Sequence, residues 1–138
     1  MSDFVLDASL ALQWFFEDET DRKYSLDVLA SLSDKRALVP VLWFYEIGNG
    51  LLMALRRNRI RFDQIEAFLL RLRNLPIDGA QQTPAQILEL PAFARVHSLT
   101  NYDAAYLALA QESGIPLATT DRTLRLAAAS ARVAILVA

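Results

Sequence analysis

Residues 99–124 read LTNYDAAYLALAQESGIPLATTDRTL. An almost unbroken apolar helical run, AAYLALA at 104–110, is followed by an apolar run of strand length, IPLAT at 115–119. One aspartate marks each: Asp103 in front of the helix and Asp121 behind the strand. A strand without polar alternation suits a parallel sheet covered on both faces, and a long apolar helix beside it is the natural cover. A carboxylate set against that much apolar surface is costly unless a cation or a hydrogen-bond donor meets it.

Working outward, FVLD (4–7), ALVPV (37–41) and VAILV (133–137) are further apolar runs of strand length. Between them, 9–16, about 20–32, 42–57, 62–74, 84–97, 102–113 and 122–130 carry helical periodicity, and PIDGAQQTP at 76–84 holds a weak strand and a turn. The order βαα, βαα, αα, βα, β predicts one α/β domain over residues 1–138, a central parallel sheet flanked by helices. GNG at 48–50 contains Asn-Gly, a hairpin signal, but LWFYEI before it and LLMALRR after it are helical in spacing. The helix is the expected outcome, at about 1 kcal/mol per glycine. Small residues there would let another chain segment or a ligand come close.

Of 138 residues, 54% are apolar and 22% charged, with a net charge of −2. That balance excludes a disordered chain and a nucleic-acid binder that relies on bulk positive charge. With no cysteine, disulfides, thiolate metal sites and a cysteine nucleophile are excluded. No stretch approaches the roughly 20 apolar residues of a membrane span, and the N-terminus lacks a signal-peptide pattern, so a cytoplasmic location is expected.

Singly, three acids have ordinary explanations. Asp7 precedes ASLALQW and Asp121 precedes RTLRLAAA, both as helix N-caps would, and Thr100 with Asp103 forms the T-x-x-D capping pattern. Glu46 is harder to explain, because VLWFYEIGNGLL offers no lysine or arginine at 42, 43, 49 or 50 to pair with it along a helix. Jointly they point further. In an open parallel sheet the carboxyl ends of the strands share one edge, where such folds hold ligands. Asp7 and Asp121 end strands, Glu46 follows the second strand, and Asp103 opens the helix that leads into IPLAT. Carboxylates gathered there repel one another unless cations lie between them, and oxygen ligands alone suit hard ions such as Mg²⁺ or Mn²⁺.

The pieces VLDAS, FYEIGNGL, LTNYDAAYLALA and LATTDRTL, in this order, resemble the PIN-domain ribonucleases, and within them the VapC toxins of VapBC toxin–antitoxin pairs. The resemblance covers essentially the whole chain. It implies a PIN fold and a metal-dependent endoribonuclease acting on RNA, with Mg²⁺ or Mn²⁺ as cofactor. Asp7, Glu46, Asp103 and Asp121 match the family's four acids as metal ligands and catalytic groups. Ser9, Asn49 and Thr119 match polar positions that support those acids, and Thr119 and Thr120 stand where some PIN nucleases carry a further acid. Expected partners are RNA, a VapB-like antitoxin and a second copy of the chain in a homodimer.

Residues 56–73, RRNRIRFDQIEAFLLRLR, place six arginines against Asp63 and Glu66, a local patch able to meet phosphates or to form an interface. Arg122, directly after Asp121, is a candidate substrate contact. The aromatics Trp14, Phe15, Phe16, Trp43, Phe44 and Tyr45 are expected in the core and an interface, and His97 at a helix end. The rival reading is a catalytically silent PIN-like module that binds protein or RNA. Its mark would be a lost acid, and none of the four is missing.

Overall fold

The computed structural model describes residues 1–138 and contains four short strands: β1 (Phe4–Leu6), β2 (Ala37–Val39), β3 (Ile77–Gly79) and β4 (Leu117–Ala118). They pair in the order β3-β2-β1-β4, and every pairing is parallel. Eight helices flank the sheet: α1 (Ala8–Phe15), α2 (Lys23–Ser31), α3 (Val41–Arg56), α4 (Phe62–Arg73), α5 (Pro84–Leu88), α6 (Leu90–Val96), α7 (Asn101–Ser113) and α8 (Arg122–Ser130).

The apolar runs end up where their composition sends them. All three residues of β1 are fully buried, and the register sets Phe4 beside Ala37 and Val5 beside Leu38 and Leu117. In α7 seven consecutive residues, Ala104–Ala110, are buried, because the helix lies on β1 and β4 and is covered by α6 and α8. Thr100 starts it, its hydroxyl accepting the Asp103 N–H at 3.1 Å. Gly114, with φ of 66°, stops it in the left-handed conformation that favours glycine.

From β1 the chain steps outward to β2 and β3, then returns through α7 to lay β4 on the other side of β1. The carboxyl ends of β1 and β4 therefore flank the point where strand order reverses, the place where open α/β sheets form a crevice. Asp7 directly follows β1, and Thr119 to Asp121 directly follow β4.

Three expectations are corrected. The run at 133–137 is no full strand: it makes one parallel bridge, Leu117 with Ile135, and the hydrogen bonds Leu117 N–H to Ala134 O and Leu136 N–H to Leu117 O. The next carbonyl on that side of β4, that of Thr119, accepts from Arg125 Nε at 2.7 Å, so the pairing has nothing to continue on. The helical run 84–97 divides into α5 and α6, since Pro91 has no N–H to bond back to Ile87. The second helix starts at Lys23 instead of about 20. Arg22 folds back to donate to the Gln13 and Trp14 carbonyls at the end of α1, leaving 17–21 as a connection. The weak strand in 76–84 is real and pairs with β2.

α3 runs unbroken through the GNG sequence, and its two glycines differ. A side chain on Gly50 would sit 2.5 Å from Leu12 Cδ1 of α1, so this glycine brings α1 and α3 together, whereas one on Gly48 would meet nothing within 4 Å. Gly48→Ala is expected to raise the stability of the protein by about 0.5–1 kcal/mol, the helix-propensity gain. Gly50→Leu is expected to lower it by about 1–3 kcal/mol through overpacking. Chemical denaturation of the two variants checks both; equal effects would show that the α1–α3 approach does not depend on Gly50.

Candidate active site

Asp7 is the most buried of the acids, with 6% of its surface exposed. Its backbone continues the β1–β4 pairing, N–H to the Ala118 carbonyl at 3.0 Å, and its side chain caps α1 by accepting from the Ser9 N–H. Two hydroxyls donate to its Oδ2, Ser9 Oγ at 2.8 Å and Thr119 Oγ1 at 2.7 Å. Burial raises its pKa; the Thr119 and Ser9 hydroxyls oppose the shift, and the charge of Asp121 adds to it. Thr119 is fully buried, and its hydroxyl also accepts the Asp121 N–H at 3.0 Å, tying the first and fourth acids together. Asp121 caps α8 through Thr123 N–H at 2.9 Å.

The other two acids come from helices. Glu46, half-buried on α3, accepts the Tyr106 hydroxyl on Oε1 at 2.5 Å. Burial raises its pKa against that hydrogen bond, with smaller contributions from the charges of Asp7 and Asp103. Asp103 gives the α7 cap only its backbone N–H, so its carboxylate is left for the crevice. Its pKa is raised by burial, then by the charges of Asp121 and Asp7, and is held back by the Thr100 hydroxyl. The N-cap reading is thus correct for Asp7 and Asp121, and both acids also reach the crevice.

Asp7, Glu46, Asp103 and Asp121, with Ser9 and Asn49, line one pocket of about 500 Å³. Thr119, fully buried, is not among the lining residues and reaches the pocket through its bond to Asp7. Arg122 opens α8 with its side chain exposed and is not among the pocket's lining residues. The lining also includes Tyr45 and Tyr102, which are 74% and 63% exposed. Tyr45 was expected in the core or an interface with its aromatic neighbours, yet only Trp14, Phe16 and Trp43 of that set are buried. The sequence signal for both tyrosines was adjacency, since each immediately precedes a pocket acid. His97 ends α6 and packs on Phe93, as expected.

The pocket's charged donors are carboxylate oxygens, which suit a hard divalent cation. They form no closed cage, since no three acidic or histidine side chains stand close enough to hold an ion jointly. Mg²⁺ keeps several waters and is commonly held by one or two carboxylates, so this donor set fits it. No lysine or arginine forms an ion pair with the acids: the four ion pairs, Lys23–Asp27, Arg36–Asp78, Arg59–Asp18 and Arg61–Asp63, all lie elsewhere. The arginine patch is partly consumed by two of them, and Arg59 also stacks on Phe16. Arg56 and Arg57 are exposed at the end of α3 and in no ion pair.

The PIN domain family model matches residues 4–130. The chain belongs to the PIN domain family. It is 37% identical over 81 residues to a protein named Ribonuclease VapC3 from Pyrobaculum aerophilum. That match covers 58% of this chain and 62% of the relative, so it spans less than two-thirds of the relative's length. Among solved structures, PAE2754 from Pyrobaculum aerophilum superimposes with a TM-score of 0.69 at 24% identity, over 91% of this chain and 84% of that one. FitAcB from Neisseria gonorrhoeae superimposes with a TM-score of 0.64 at 17% identity, over 97% and 96%. These two likenesses show a shared fold. No helix of this PIN domain is long and apolar enough to cross a membrane.

The raised pKa values set a pH dependence. An acid whose folded pKa lies above its unfolded value binds more protons in the native state, so its favourable contribution is present at acid pH and is lost as pH rises through the folded value. Asp103→Asn removes one such acid and leaves the Thr100 cap in place. In the metal-free protein it is expected to melt above wild type at pH 7, with the gap closing as pH falls toward about 4, the ordinary carboxylate range. Melting curves at a series of pH values test this; a variant that melts below wild type at pH 7 would make Asp103 a structural group.

Proposed function

We propose that this PIN domain is a metal-dependent endoribonuclease of the VapC toxin type, hydrolysing phosphodiester bonds in unpaired RNA. The observation that carries the reading is the shared pocket, to which β1, α3, α7 and β4 each deliver one acid at the sheet's crevice. The name of the 37% identical relative, a ribonuclease, supports the same activity. A silent binding module would have no need to keep all four acids facing one pocket.

In this reading a bound Mg²⁺ or Mn²⁺ would supply a hydroxide-like nucleophile near neutral pH and would neutralise charge on the phosphoryl oxygens. Asp7 and Asp103 would hold the ion by their carboxylates, and Asp121 would hold it directly or through a water. Glu46 holds it or accepts a proton from the attacking water, a role suited to a carboxylate whose proton affinity is raised. Ser9 and Thr119 orient Asp7, and Asn49 lines the same wall one helical turn beyond Glu46. Tyr45 and Tyr102 offer exposed rings on which unpaired bases stack. Arg57 follows Glu46 by eleven residues, about three turns or 16 Å along the same face of α3, where it meets a phosphate beyond the crevice. A VapB-like antitoxin and a homodimer partner belong to the same proposal, and the exposed Val41, Phe44 and Leu52 of α3 are apolar surface that such a partner would cover.

Cleavage of RNA by the purified protein is expected to require Mg²⁺ or Mn²⁺ and to stop with EDTA; undiminished cleavage in EDTA would remove the metal mechanism. Asp7→Asn, Glu46→Gln and Asp103→Asn are each expected to lower the rate by at least about a hundredfold.

Replacing Arg56 and Arg57 with glutamine is expected to weaken RNA binding uniformly across sequences and to flatten its salt dependence by up to about two units of slope. Titrations with RNA between low and moderate salt read this out. An unchanged slope would assign the pair to a protein interface.

A further inference from the structure

Tyr106 is 1% exposed, and its hydroxyl donates to Glu46 Oε1 at 2.5 Å, a short contact typical of a charge-assisted bond. Glu46 lines the pocket and has no other hydrogen-bond partner in the protein, so Oε2 is left free on a carboxylate held by its other oxygen.

A buried tyrosine needs an acceptor, and the plainest account is that Glu46 merely serves as one. The protein shows the cheaper solution elsewhere: Tyr24 donates to the Leu136 backbone carbonyl at 2.7 Å. A half-buried carboxylate that also feels the charges of Asp7 and Asp103 is a costly acceptor by comparison. The placement within α7 points to a purpose. Tyr106 follows Asp103 by three residues, so both project from neighbouring positions on one side of a helix locked between sheet and helices. α7 carries Asp103 on its own backbone and reaches Glu46 of α3 through Tyr106.

We infer that Tyr106 is a positioning residue: its hydroxyl fixes Glu46 by one oxygen and thereby sets where the second stands relative to Asp7 and Asp103. The inference rests on the nuclease reading for its catalytic consequence and on the hydrogen bond alone for its physical part. The two parts are separable by experiment.

The test is a double-mutant cycle with Tyr106→Phe and Glu46→Ala, read both as melting temperature in EDTA and as RNA cleavage with Mg²⁺. Phenylalanine keeps the ring in its slot and removes only the oxygen. Tyr106→Phe is expected to lower the melting temperature in the wild-type background. In the Glu46→Ala background, where the hydroxyl has lost its acceptor, it should leave the melting temperature unchanged or raise it. With RNA, Tyr106→Phe is expected to lower kcat by at least about tenfold with KM within about twofold, and to change the residual rate of Glu46→Ala by less than about twofold. Equal melting losses in both backgrounds, or an unchanged kcat in Tyr106→Phe, would overturn the inference. A wild type that does not cleave RNA would overturn the nuclease reading instead, and the melting cycle would then decide the role of Tyr106 by itself.

Discussion

A carboxylate buried at the end of the central strand is the constraint from which the rest of the site follows. Asp7 cannot keep a charge there without donors, and the donors come from two directions. Ser9 stands in the first turn of α1, and Thr119 stands at the end of β4, 112 residues away in sequence. The second bond requires β4 to lie beside β1 in one register. Thr119 is in turn held on three sides: its hydroxyl donates to Asp7, the same hydroxyl accepts from Asp121, and its carbonyl accepts from Arg125. Arg125 stacks on Tyr24, whose hydroxyl anchors the Leu136 carbonyl. The path from Asp7 to the C-terminal segment is thus a series of polar contacts, each satisfying a group that burial would otherwise penalise.

The acids of the pocket are held by hydroxyls and not by cations. Ser9 and Thr119 serve Asp7 and Tyr106 serves Glu46, while every lysine or arginine ion pair lies away from the pocket. The difference is physical. A guanidinium would lower the pKa of a carboxylate and occupy its oxygens, whereas a hydroxyl satisfies one lone pair and leaves the charge largely uncompensated. The net direction of all three resolved shifts is upward, so burial and mutual repulsion outweigh the hydroxyls. A site built in this way gives up stability to keep its charge available, the usual trade at functional positions.

Sequence alone disclosed the parallel sheet, the positions of most helices and the gathering of four acids at one edge, because each rested on a strong local signal. Strand-length apolar runs have few alternatives beside long helical stretches, and an acid at the end of such a run must face either water or a ligand. What failed were features decided by a side chain far away in space or by a backbone detail. The strand at 133–137 has strand composition, yet Arg125 takes the carbonyl it needed. The arginine run is a patch in sequence, yet Asp18 and Asp63 draw Arg59 and Arg61 out of it. Tyr106 was hidden because AAYLALA is apolar enough to explain a tyrosine as packing, and nothing in its neighbours announces that its hydroxyl meets Glu46, 60 residues earlier.

The alanines of α7 acquire a reason from the same geometry. A helix buried on every side gains more apolar contact from large side chains, and Tyr106, Leu107 and Leu109 provide some of it, but Ala104, Ala105, Ala108 and Ala110 occupy the rest of the buried run. Small side chains let the helix axis lie close to β1, β4, α6 and α8 at once, and helix spacing depends directly on the residues at the contact. A more distant α7 would carry Asp103 away from Asp7 and would pull Tyr106 out of hydrogen-bond range of Glu46, since that range ends a few tenths of an ångström beyond the observed contact. The low bulk of this helix therefore serves placement more than burial. The stretch that discloses the parallel fold in the sequence, an apolar helix feeding an apolar strand, is also the one whose thickness sets the depth of the acidic pocket.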